Sequence, residues 1–371
     1  VGAEDQVESY RLDLEYKIGK HTIRGGIDSN KDTSLNAGDM TAGGGLWTYS
    51  KTGTPNSPIT LTGQQGVIVA NGGGFGTQGY YVQKFEFSSI TSAKSSQAAQ
   101  YIEDRWQATK DLLIVGGLRN DQYSNSNGDG EKFIDMKNQL APRLAASWNV
   151  NGDSSMKVFG SLGRYYLQLP TQVAARAASR STYLRQDFTY TGIDSKGQPT
   201  GLNPINTPAS PDGEFNQPKD PRSVASKNLK PNFQDEITLG FERAMSPSLN
   251  VGAKLTYRKL GAGIDDNCDM RGVAKYSAKV GLPQADALGY YGPCFIFNPG
   301  EDATIWVDGH DANGAVLPGQ GRWVTFTAKE MGFPKVERTY TAVDLFAEHP
   351  FRLWNVLLVL FRRRNSVSAP C

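Results

Sequence analysis

Tyr10-Arg11-Leu12-Asp13-Leu14-Glu15-Tyr16-Lys17-Ile18 alternates apolar and charged residues without a break. A period of two puts all five apolar side chains on one face of an extended strand, a pattern that a helix scatters around its axis. Gly19-Lys20 ends the run, and the stretch from His21 to Asp28 reads as the return strand of a hairpin. The unit recurs along the chain. Residues 98–109 and 112–123 flank Lys110-Asp111, 138–148 and 156–166 flank Asn151-Gly152-Asp153-Ser154, and 233–243 and 249–257 flank Ser246-Pro247-Ser248. A last pair, 337–347 and the segment from Phe351 onward, flanks His349-Pro350. The pattern predicts about ten strands of roughly ten residues each, the length a tilted strand needs to cross a bilayer.

The stretches between hairpins are long: 29–97, 124–137, 167–232 and 258–336, together rich in Gly, Asn, Pro and Ser. Short turns alternating with long loops are the asymmetry of an outer-membrane barrel. Aromatic residues fit the same picture. Trp106, Trp148 and Trp354 lie near the short turns, and Tyr123, Tyr165 and Tyr257 near the long loops, as two interfacial girdles would. On the fourth hairpin Ile237, Leu239 and Phe241 face one way and Glu236, Thr238 and Gly240 the other, so one face is expected to meet lipid and the other a wet or plugged lumen. The competing reading is a secreted, soluble β-rich ligand- or carbohydrate-binding protein whose apolar faces meet each other.

Composition agrees with an all-β fold. The chain has 371 residues, 41 of them Gly, and 39 Lys+Arg against 37 Asp+Glu, a net charge of +2. The one basic run, Arg362-Arg363-Arg364, gives no reason to expect a nucleic-acid partner. The longest apolar run, Val356 to Phe361, is far short of the roughly 18 residues of a spanning helix. A mean hydropathy of −0.46 is no obstacle to a barrel, because each strand is apolar only at alternate positions. The opening Val1-Gly2-Ala3-Glu4-Asp5 carries neither an initiator Met nor an apolar signal region, which for a barrel protein leads us to expect further sequence upstream.

Four stretches resemble TonB-dependent outer-membrane receptors. Residues Tyr101 to Thr109 with Leu112 and Gly116-Gly117-Leu118-Arg119 are similar to that family's "QDxWxxTxxLxLxxGLR" strand pair. Ala141-Pro142-Arg143-Leu144 through Trp148, with Phe159-Gly160-Ser161-Leu162-Gly163-Arg164-Tyr165-Tyr166, resembles its "APRLxxxW…xGxxGRYY" hairpin. Leu229-Lys230-Pro231, Asp235-Glu236 and Leu239-Gly240-Phe241-Glu242 resemble "LKPxxxxExxLGFE", and Glu337 to Ala342 resembles the "ERxYxA" strand of the Oar-like subgroup. The resemblance implies an antiparallel transmembrane β-barrel of 22 strands around a plug. It also implies long extracellular loops, location in the cell outer membrane, and energy-coupled uptake of a scarce substrate through the TonB complex. Outer-membrane lipid and the barrel-assembly machinery would be further partners. About ten strands are a partial barrel, under half of a plugged 22-stranded one. On this reading the chain is a segment with neither plug nor TonB box, inactive alone, whose open edge strands are an aggregation hazard. The division expected is a partial barrel over 1–355 and an aberrant tail over 356–371, where alternation stops abruptly, from a frameshift or from a divergent basic tail.

Candidate sites are few. Trp47, Tyr49, Tyr80, Tyr81, Tyr290, Tyr291, Trp306 and Trp323 stand in polar loop sequence, either as a ligand-binding surface or as loop packing. Cys268 and Cys294 share one loop, as a disulfide or as two free thiols. Asn125-x-Asn127-x-Asp129-Gly130 imitates a calcium loop, but Met136 stands where the closing Glu belongs, so a turn closed by Asn and Asp side chains is expected and no metal. The three histidines (His21, His310, His349), with no G-x-S-x-G or H-E-x-x-H, suggest no catalytic residue, and no cofactor is expected.

Overall fold

The computed structural model describes residues 2–53, 79–210, 214–267, 294–310, 316–350 and 355–368. The opening alternation forms the first hairpin. β1 (Glu4–Ile18) and β2 (His21–Ala37) pair antiparallel from Ile18–His21 to Glu4–Leu35, around Gly19 at a φ of 58°. The chain leaves for β3 (Leu46–Lys51) and β4 (Tyr80–Ser88), then returns as β5 (Thr91–Gln107), β6 (Leu112–Ser126), β7 (Lys132–Asn149) and β8 (Met156–Tyr166). A second excursion holds β9 (Thr182–Thr189), β10 (Gly192–Ile193), β11 (Pro199–Thr200) and β12 (Asn203–Pro204), before β13 (Phe233–Ser246) and β14 (Leu249–Ala262). A third holds β15 (Asp265–Asn267), β16 (Phe295–Phe297), β17 (Ala303–His310) and β18 (Val316–Phe326), before β19 (Glu337–Pro350) and β20 (Asn355–Ser368).

Ten of these strands form one antiparallel meander in the order β1-β2-β5-β6-β7-β8-β13-β14-β19-β20, an open sheet in which β1 and β20 each have a single neighbour. The hairpins expected from the alternation are all present. The strands are longer than expected, 11 to 18 residues, because the polar stretches beyond the apolar ones keep pairing, as Lys31–Ser96 and Thr33–Lys94 do. One loop is much shorter than expected. Between β6 and β7 only 127–131 remain of the predicted 124–137, and Asn127 closes the turn by accepting the backbone N–H of Asp129 (3.1 Å) and Glu131 (2.8 Å). Across residues 356–368, where the alternation fails, the backbone still pairs with β19 from Pro350–Asn355 to Glu337–Ser368. A free strand edge accepts an extended backbone whatever its side-chain pattern.

Directly paired residues share a face, so the register defines the two sides of the sheet. One side carries the row Leu14, Gly25, Ile102, Leu118 and Pro142, and next to it Tyr16, Ile23, Asp104, Gly116, Leu144, Leu162, Ile237 and Tyr257. The large apolar residues of these rows are exposed apart from the half-buried Ile23, with Leu14 at 70%, and Leu239 in the next row along β13 is exposed at 57%. The buried apolar residues cluster instead at the loop end, around Phe295, Phe297, Ile305, Val324 and Phe326, and around Tyr123, Ile134, Leu169 and Val224. A water-soluble sheet buries its apolar face, and this one turns it outward. On β1 the band runs from Tyr10 to Ile18, about 26 Å along the strand at about 3.3 Å per residue, or roughly 19–22 Å of height at a tilt of about 35–45°, close to the ~25 Å apolar band of a transmembrane barrel. On β13 it runs from Ile237 to Phe241, lower along the hydrogen-bonded rows. A band that crosses the rows obliquely reflects strand tilt.

Asp104 is a charged residue within the band. Its Oδ2 lies 2.7 Å from His21 Nδ1, and the His21 ring stacks on Trp106 at 5.8 Å and 4°. The carboxylate is thereby paired where an isolated charge would be costly.

The opposite face is polar. Arg11 and Arg24 bind Asp13 at 2.7 and 3.3 Å, and the Tyr101 hydroxyl donates to the same carboxylate. Arg119 grips Asp28 (2.6 Å) and Asp121 (2.8 Å), and Lys157 pairs with Glu242 (2.6 Å). Two of the expected girdle residues belong to this inner face. Tyr123 is 4% exposed in the core beneath the loops, and Tyr165, two residues beyond inward Gly163, lies under the Arg143 guanidinium at 4.7 Å. Their places in the alternation are odd-numbered steps from the outward Leu118 and Leu162, so a girdle role is corrected for both. Trp106, Trp148 and Tyr257 are exposed on the outer face, and Trp354 lies outside the described residues.

Candidate ligand-binding surface

The first and second excursions combine into a second, four-stranded sheet at the loop end, in the order β12-β9-β4-β3. It springs from the top of the β2–β5 pair. Gly38, at a φ of 121°, lies so close to Ser89 that a Cβ would sit 2.3 Å from its carbonyl oxygen, and Ser89 N donates to Asp39 O at 2.8 Å. Asp187, fully buried in β9, fixes the layer by accepting from Gln83 Nε2 (3.1 Å) and Asn206 Nδ2 (2.7 Å). That satisfaction makes its burial tolerable.

Four of the predicted aromatics lie on this sheet. Trp47 packs edge-on to Phe188 at 5.9 Å with the Lys84 ammonium 5.8 Å from its ring, and Tyr49 packs edge-on to Tyr190 at 5.4 Å. The Tyr49 hydroxyl donates to Gly197 O at 2.9 Å, and Lys51 sits 4.8 Å over Tyr80. Tyr81 is half-buried on β4. The sheet adds aromatic residues that the sequence reading did not name, Phe85, Phe87, Tyr183, Phe188 and Tyr190, with Arg185 over Phe85 at 5.9 Å. Alternation in Tyr81-x-Gln83-x-Phe85-x-Phe87 was the available signal.

Trp306 and Trp323 form a second group on the β17–β18 hairpin. They are paired in register, ring to ring at 5.4 Å and 75°, on the face opposite Ile305, Val307 and Val324. Arg222 lies 3.7 Å over Trp306, and Gly321 leaves the room that the Trp306 ring fills, since a Cβ there would be 2.4 Å from it. The eight predicted aromatics thus divide between two sheets, with Tyr290 and Tyr291 outside the described residues. Cys294 is disulfide-bonded, and the chain's other cysteines, Cys268 and Cys371, both lie outside the described residues.

The second excursion is tied inward by Glu214. Its Oε1 accepts from Arg176 (2.7 Å) and Lys219 (3.1 Å), joining residues 214–219 to the helical turn Ala174–Ala178 that packs against β5 and β6. Burial pushes the Glu214 carboxyl up, but the Arg176 hydrogen bond and the Lys219 charge outweigh it and hold the group below its ordinary 4.5. A lowered folded value means the stabilisation is full above pH 4.5 and is lost as pH falls through that folded value. Hydrogen exchange in 167–232 is therefore expected to stay protected from pH 7 to 5 and to lose protection as pH falls below 4.5 through the folded value. Glu214→Gln should remove that step and cost about 1.5–3 kcal/mol of local stability at neutral pH.

A ten-stranded antiparallel wall, apolar and exposed outside, ionic inside, with tight turns at one end and structured loops at the other, is the wall of a transmembrane β-barrel. Residues 3–257 match the family model described as TonB dependent receptor-like, beta-barrel. The chain belongs to this family and is an outer-membrane protein whose outer face meets lipid. It is 24% identical over 205 residues to the TonB-dependent transporter Oar of Myxococcus xanthus, a match covering 49% of this chain and 19% of that protein. Similar solved structures include the siderophore receptor PirA from Acinetobacter baumannii, with a TM-score of 0.36 and 13% identity over 97% of this chain and 44% of that one. Another is the alcaligin receptor FauA from Bordetella pertussis, with a TM-score of 0.31 and 12% identity over 97% and 56%.

Proposed function

We propose that these ten strands are part of a larger barrel that binds a scarce substrate at its outer loops and imports it with energy relayed by TonB. The observation that carries the reading is the loop end: two aromatic groups flanked by cations, held on well-packed layers above an ionic inner wall. On this proposal the unpaired edges of β1 and β20 are joined by further strands, a plug fills the lumen, and the barrel-assembly machinery inserts the whole. The domain reading is a barrel wall over 1–355 followed by a tail of altered pattern over 356–371. Trp47, Tyr49, Tyr80, Tyr81, Tyr290, Tyr291, Trp306 and Trp323 serve as substrate contacts, and Cys268 closes the disulfide with Cys294. Binding and transport, rather than catalysis, are the work of the chain.

Growth of cells with and without the gene, each in TonB-positive and TonB-negative backgrounds, tests the proposal across limiting iron, carbon and peptide sources. The expected result is that the gene supports growth on one source only when TonB is present. Growth conferred equally without TonB would overturn the proposal, as would recovery of the protein in the soluble fraction.

A further inference from the structure

A cavity of about 320 Å³ opens beside the loop end of β7, at the lower end of the ~300–1,000 Å³ of small-molecule pockets. Its floor is apolar, from Phe133, Met136 and Leu229, and the Trp323 indole forms one wall. Lys132 and Lys227 stand at its rim, both exposed, and neither pairs with a carboxylate among the described residues. The Lys227 ammonium is 5.5 Å from the Trp323 ring.

The other charged groups of the lining are already engaged. Arg222 is bound by Asp220 at 2.6 Å and lies over Trp306, so it braces the indole pair. Asp135 is held by Lys137 at 3.3 Å. The Ser226 hydroxyl donates to Asn228 Oδ1. What is left to a ligand is two positive charges above an apolar floor with an aromatic wall. A cation is repelled there, and a neutral sugar finds few free polar partners. Water satisfies the ammonium groups but leaves the floor exposed.

We propose that this cavity binds a small organic anion with an apolar, aromatic body, its acidic group between Lys132 and Lys227 and its ring between Trp323 and the Phe133–Met136–Leu229 floor. As a substrate subsite the assignment rests on the uptake reading above; as a binding site it stands on the cavity alone. The probe is 4-(trifluoromethyl)benzenesulfonate, followed by ¹⁹F NMR on the protein extracted from outer membranes into detergent. Neutral 4-(trifluoromethyl)benzyl alcohol reports partition into the micelle. The sulfonate is expected to bind saturably and to weaken about tenfold or more in Lys132→Ala/Lys227→Ala, since each tenfold is one lost charge-assisted contact of about 1.4 kcal/mol. Binding should weaken severalfold in Trp323→Leu, persist in Lys132→Arg/Lys227→Arg, and fall as salt rises. Heat-modifiable gel migration verifies that each variant is folded. Equal affinity in the wild type and the double-alanine variant would overturn the proposal, as would absence of saturable binding or equal association of sulfonate and alcohol. TonB-dependent growth is measured separately, so loss of one result leaves the other readable.

Discussion

Leu239→Arg is expected to abolish accumulation of the protein in the outer membrane, while Thr238→Arg, one residue away, leaves it largely intact. Leu239 sits mid-band on β13, level with Leu255 and Val343, and all three are exposed on the outer face. Thr238 takes the opposite face, between Ser161 and Thr256. A cation near the bilayer midplane costs about 2–4 kcal/mol on the lipid side, a large part of the 5–15 kcal/mol that holds a typical domain together. On the inner side the guanidinium keeps water and carboxylates within reach. The measurement is the heat-modifiable fraction in outer-membrane preparations of the two variants. Equal loss in both would mean that the exposed apolar face is not the lipid face, and the barrel reading would fall with it.

That contrast works because strand facing is readable from sequence at single-residue resolution. Tyr10 to Ile18 and Ile237 to Phe241 needed nothing but their alternation, since a one-residue slip would turn every charge into lipid. Tyr123 and Tyr165 were misread for a related reason. Their position near the loops drew them into a girdle, yet counting parity from Leu118 and Leu162 already turns them inward. The second sheet was not legible in the same way. β4 pairs with β9 through Val82–Phe188 and Phe87–Tyr183, about a hundred residues apart, and no local pattern specifies a partner at that distance. Glu214 is similar: its meaning comes from Arg176 and Lys219, which converge only once the excursion has folded. The charged inner wall was foreseen as a set of alternating positions, but pairings within it such as Arg119 with Asp28 depend on diagonal reach across three strands.

Gly252→Val is expected to destabilise the barrel wall by about 1–3 kcal/mol, the usual cost of forcing extra methyl groups into a filled site. In the wild type the Phe346 ring lies across Gly252 from the neighbouring strand, so a Cβ at that position would fall 2.2 Å from the ring and 2.7 Å from the Phe241 carbonyl oxygen. Phe159 covers Gly240 in the same fashion, with its Cζ 2.5 Å from where a Cβ would stand. Glycine under a cross-strand aromatic removes a side chain from one strand and lets the partner's ring replace it, which seals the inner surface without widening the strand spacing. The clash at Gly252 has two sources that respond differently to a second substitution. Phe346→Ala removes the ring and should restore most of the stability lost in Gly252→Val, giving a coupling of at least about 1 kcal/mol for residues in direct contact. The carbonyl of Phe241 is backbone and stays in place, so recovery should be incomplete. The temperature at which heat-modifiable migration disappears, compared across the wild type, both single variants and the double, reads the coupling directly. Strict additivity would show that ring and glycine are not packed together and that the inner surface at β14–β19 is built differently.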